Sequence, residues 1–82
     1  MSLYFFHLRD GADIALDPEG RELSGIDAIR PIALADARSI ISGDAKGGRI
    51  ILDQRIDVED EFQNIVHTLH FVDAVEIVHP RQ

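Results

Sequence analysis

The sequence predicts an α+β domain of two layers, with one helix packed on one face of a mostly antiparallel sheet in the order β-β-α-β-β. Three observations predict it. Residues 3–9 and 55–59 have strand character, one rich in aromatics and the other strictly alternating between apolar and charged. Between them Ile26, Ile29, Ala33, Ala37, Ile40 and Ile41 recur at helical spacing. The clusters Asp10-Gly11 and Asp17-Pro18-Glu19-Gly20 supply turns, since Gly tolerates positive φ and Pro presets the first turn position.

The first strand runs from Leu3 to Arg9 and carries Tyr4, Phe5 and Phe6, three of the five aromatics. The second runs from Asp13 to Leu16. A three-residue loop, Asp10-Gly11-Ala12, pairs Leu8 with Ile14 and Phe6 with Leu16. That register gathers Tyr4, Phe6, Leu8, Ile14 and Leu16 on one face, the cheaper arrangement in water. Phe5, His7 and Arg9 then point the other way.

A helix follows. Ser24 with Asp27 has capping-box character, and Gly43, then Gly47-Gly48, supply its end. Pro31 inside a helix costs about 3 kcal/mol. That cost nearly vanishes in the first turn, so the helix either starts near Asp27 or kinks at Pro31. Ile32 falls off the apolar stripe, on the opposite flank.

The second half returns to strands. Arg49 to Leu52 is short and apolar. Arg55 to Glu59 places Ile56 and Val58 on one side and Arg55, Asp57 and Glu59 on the other. Asp60-Glu61 is the turn, and Asn64 to Phe71 the return strand, with Ile65, His67, Leu69 and Phe71 on one face. Residues 74–78 fit either a fifth strand or a docked tail, and Pro80 ends regular structure.

Residues 1–82 read as one domain with a small core, which oligomerisation would stabilise. There is no cysteine, so disulfides and thiolate metal sites are excluded and a cytoplasmic setting is expected. No secretory signal and no membrane-spanning run is visible. Eight basic against fifteen acidic residues leave a net charge of −7, which repels phosphate at long range. Neither direct nucleic-acid binding nor a membrane surface is therefore expected.

Catalytic patterns are lacking. Asp57, Glu59, Asp60 and Glu61 have neither the central Gly nor the ligand spacing of a calcium loop. Asp17, Glu19 and Glu22 surround a turn, and Asp44-Ala45-Lys46-Gly47-Gly48 is not a phosphate loop. Ser39 and Ser42 lack a nucleophile elbow. His67 and His70, three apart on a strand, point to opposite faces and do not converge on a metal. No enzymatic activity, catalytic residue, metal or cofactor is expected.

Tyr4-Phe5-Phe6-His7-Leu8-Arg9-Asp10-Gly11, then Asp17-Pro18-Glu19-Gly20-Arg21-Glu22-Leu23, resemble short proteobacterial proteins grouped as a domain of unknown function. The helix with Ala28, Ala33 and Ala37, and Arg55-Ile56-Asp57-Val58, extend the resemblance over nearly the whole chain. Pro31 and the turn Asp60-Glu61-Phe62-Gln63 depart from that pattern. The resemblance implies no activity and no catalytic residue. In topology alone the leading hairpin, acidic turn and Ala-rich helix are similar to HicB-type antitoxin domains, which pair with a small basic toxin.

The expected function is a non-enzymatic protein-interaction module that forms a homo-oligomer, with Leu3, Phe5, His7 and Ile32 as interface candidates. The motive is that one helix covers one face, while Leu3 and Phe5 lie on the other. An acidic antitoxin-like inhibitor of a basic partner protein is the alternative. A second alternative is metal or small-ligand binding through His7, His67 and His70.

Overall fold

The computed structural model describes residues 1–81. Its sheet is built on β1 (Ser2–Asp10), which pairs along one edge with β4 (Gln54–Glu59), itself paired with β5 (Ile65–His70). The other edge of β1 is shared by two short strands, β2 (Asp13–Ala15) at residues 8–10 and β3 (Arg21–Leu23) at residues 2–4. Every pairing is antiparallel. One helix, α1 (Ile29–Lys46), crosses one face over β4 and β5, giving the expected α+β two-layer fold with one strand, β3, beyond the expected order.

The β1–β2 register differs from the expected one. Asp10 pairs with Asp13 around a two-residue loop, Gly11-Ala12, so Leu8 faces Ala15 and Arg9 faces Ile14. Gly11 has φ 62°, and Gly with positive φ at the first loop position suits a type II′ turn. Leu16 leaves the ladder, and Asp17 gains the gap between β2 and β3. There its carboxylate accepts the N–H of Phe6 at 3.1 Å, and its own N–H donates to His7 Nδ1 at 3.0 Å. Satisfying a strand edge outweighs keeping Ile14 on the apolar face, since an unpaired N–H costs more than a half-exposed isoleucine.

A 3₁₀ turn, Ile26–Ala28, leads into α1, which places Pro31 in its first turn, where the missing N–H breaks no bond. The helix therefore starts late rather than kinking. Ser24 caps nothing: Gly25 and Ala28 hold the cap positions without side-chain bonds. Nor does Gly43 end the helix. Gly48, at φ 91°, does so by letting Arg49 N–H and Gly48 N–H return to the carbonyls of Asp44 and Ala45, a Schellman motif. Ile26, in the 3₁₀ turn ahead of α1, is exposed, while Ile29, Ala33, Ala37 and Ile41 form the buried stripe.

Arg49 to Leu52 forms no strand. The β4–β5 turn is held by Asp60, whose carboxylate accepts the N–H groups of Phe62 and Asn64, both at 2.9 Å. A bulge then breaks the alternation expected for the return strand: Val58 faces His67 but Glu59 faces Ile65. Val66 packs against the core as a result, and Ile65 turns outward. Phe71 is not in β5 but in a 3₁₀ turn, Phe71–Asp73, that packs back on β4. Residues 74–78 form no strand. They begin as a docked tail, with Ala74 buried and its carbonyl accepting from Arg38 Nε at 2.8 Å.

His67 faces the helix layer with Nε2 buried and, among the described residues, without a hydrogen-bond partner. An orphaned polar atom of this kind costs about 1–3 kcal/mol. His67→Leu is therefore expected to stabilise the fold by roughly 1 kcal/mol, raising the melting temperature by about 4–8 °C. An unchanged or lower melting temperature would show that the imidazole contributes packing or a water-mediated bond that leucine cannot replace.

Candidate functional site

On the face without the helix, the registers of β1, β4 and β5 stack polar side chains in cross-strand rows. Arg9, Arg55 and His70 form one row, His7, Asp57 and Thr68 the next, and Phe5, Glu59 and Ile65 the third. Asp57 lies at the centre and is only 5% exposed. It accepts from Arg9 Nε at 2.6 Å, from Arg55 Nε at 3.3 Å and from Thr68 Oγ1 at 3.0 Å. Arginines directly opposite one another repel, so this carboxylate is what allows the first row to form.

Burial pushes the Asp57 carboxyl up, but the Thr68 and Arg9 hydrogen bonds and the Arg55 charge outweigh it and hold the group below the ordinary aspartate value of 3.8. At Asp17 burial is likewise outweighed, here by the N–H groups of Gly20, Phe6 and Glu19 and by the Arg21 charge. Asp17 also places the imidazole of His7. Since Nδ1 accepts from the Asp17 N–H, Nε2 carries the ring hydrogen and points to Glu59 Oε2 at 3.2 Å.

The interface candidates are partly occupied within their own chain. His7 is 7% exposed, accepts a hydrogen bond at Nδ1 and has Nε2 3.2 Å from the Glu59 carboxylate. Phe5 is half-buried, stacked on His7 with ring centroids 6.3 Å apart. Leu3 is half-buried, and Phe5 and Leu3 both approach Gly20, whose φ of 74° and lack of a side chain permit the contact. Ile32 is half-buried against the core. The histidines do not come together: His67 faces the helix, whereas His7 and His70 lie in separate rows of the opposite face. Among the described residues no cluster of three or more His, Asp or Glu is arranged to hold a metal, and no helix is long and apolar enough to cross a membrane.

A second feature lies on the helix side. Beside α1 an open cleft of about 460 Å³ runs over Phe6 and Leu8, bordered by Leu16, Pro18, Arg21 and Asp36. Arg21 and Asp36 bridge it at 2.8 Å, and the Arg21 guanidinium sits 5.0 Å from the Phe6 ring centre. Sequence reasoning missed this cleft because the expected register filled it with Ile14 and Leu16. It missed the arginine row because pairing between β1 and β4 joins residues 46 apart.

No match to this chain was found among curated proteins or among solved structures. A family model described as a domain of unknown function, DUF6894, matches residues 3–72, and the chain belongs to that family.

Proposed function

We propose that the domain is a non-enzymatic interaction module that assembles with a second copy of itself through the helix-side cleft. One observation carries this reading: a single helix covers only part of the sheet. A helix is about 10 Å wide and strands are spaced about 4.8 Å apart, so α1 shields roughly two strands. Those are β4 and β5, so over β1 Phe6 and Leu8 stay only half-buried, with the Arg21–Asp36 pair spanning the cleft above them. Leu16, 65% exposed on the rim, is the natural plug for the same cleft in a two-fold partner.

Leu16→Asp is expected to give a folded monomer, because Leu16 is exposed within the protomer and its replacement changes the protomer's own stability by only about 0.5 kcal/mol. Light scattering over a dilution series reads the result. A wild-type chain that stays monomeric at high micromolar concentration overturns the reading, as does a Leu16→Asp variant that still dimerises.

An acidic inhibitor of a basic partner is the second reading, supported by the β4–β5 tip. Phe62 there is 82% exposed and follows Glu59, Asp60 and Glu61, an apolar anchor in a field of carboxylates. It predicts capture of a basic protein at low salt that is lost at high salt and lost with Phe62→Ser. Salt-independent capture argues against it.

A further inference from the structure

We propose that the row formed by Arg9, Arg55 and His70 on the helix-free face is a binding site for a small oxyanion, a carboxylate or a phosphate group. The inference is independent of the helix-side cleft. The chain carries eight basic residues against fifteen acidic ones, and yet two arginines stand directly opposite one another across β1 and β4. Like charges in that position destabilise a sheet, and here the buried carboxylate of Asp57 is what holds the two together.

The geometry gives the pairing a use. Both guanidinium groups meet Asp57 through Nε, at 2.6 Å from Arg9 and 3.3 Å from Arg55. Asp57 is fixed in turn by Thr68 at 3.0 Å. The stems are thus anchored from beneath, while 40% of the Arg9 side chain and 42% of the Arg55 side chain remain open to solvent. The terminal Nη groups are the donors left for a ligand. A guanidinium fork matches the two oxygens of a carboxylate or phosphate, and holding two forks in place beforehand reduces the ordering cost of binding. His70, exposed and opposite Arg55, adds a third donor on the same row. Among the described residues Asp57 is the one carboxylate within ion-pair distance of either arginine, and one carboxylate leaves the two cations with a net positive charge.

The test is titration of the full chain with inorganic phosphate and, separately, with succinate, at constant ionic strength set by chloride. Amide shifts are read by NMR. Saturable shifts centred on Arg9, Ile14, Arg55 and His70 are expected, with millimolar affinity. Saturation by phosphate alone assigns a phosphate-bearing ligand, and saturation by succinate alone a carboxylate. Arg55→Gln should weaken binding at least tenfold, and Arg9→Lys, which keeps the charge but loses the fork, should weaken it measurably while the fold is retained. No saturable shift with either anion overturns the proposal. So does wild-type affinity in a folded Arg55→Gln variant, or shifts centred on the helix side of the sheet.

Discussion

Phe71→Ala is expected to be strongly destabilising, with a large drop in the urea midpoint of unfolding. Phe71 is among the largest fully buried side chains, and truncating a buried phenylalanine costs about 3–5 kcal/mol. At about 0.05–0.15 kcal/mol per residue a domain of this size has roughly 4–12 kcal/mol in total, so the loss takes a large part of it. The mechanism is specific to the turn after β5. Phe71 anchors the 3₁₀ turn that brings Ala74 under α1, where its carbonyl meets Arg38. Urea unfolding measures the effect, and Val72→Ala, at an exposed neighbour, is the control. A loss below about 1 kcal/mol for Phe71→Ala would mean that the turn does not hold the tail against the core.

The second large effect belongs to Asp57. Asp57→Ala removes the acceptor shared by Arg9, Arg55 and Thr68 and leaves two arginines facing each other. Breaking a buried ion pair costs about 3–5 kcal/mol, and the solvent exposure of both arginines reduces that to roughly 2–3 kcal/mol here. The same carboxylate predicts a pH dependence. Its value in the folded chain lies below the 3.8 of the unfolded chain. Its contribution is therefore complete above pH 3.8 and is lost as pH falls through the lower folded value. Asp17, also held low, acts in the same window. Wild-type stability should fall steeply below pH 3.8, and Asp57→Asn should have a shallower acid limb with lower stability at neutral pH. Parallel acid limbs for the two proteins would rule out this role for Asp57.

What the residues declare locally and what the fold decides divide along a physical line. The aromatic-rich run Leu3–Arg9, the alternation in Arg55–Glu59, the helical stripe through Ala33 and Ala37, and the turn at Asp60 are set by near neighbours, and each forms where the sequence places it. So does the start of the helical segment close to Asp27, with Pro31 in the first turn of α1, because proline's missing N–H restricts where it can sit whatever surrounds it. Register was not legible. Whether Leu8 meets Ile14 or Ala15 turns on an N–H of Phe6 that needs an acceptor, and that acceptor is Asp17, eleven residues away. The bulge at Glu59 likewise moved Ile65 from the core face to the surface. Ser24 and Gly43 carry end signals that the structure does not use, since packing of Ile29 and Ile41 against the sheet outweighs a cap or a single glycine. The sequence by itself therefore determined the helix, four of the five strands and the fold class, but not β3. Only the tertiary structure set Arg9 against Arg55 over Asp57 and left Phe6 and Leu8 half-buried beside α1, because both depend on which strands pair and on how far one helix can reach.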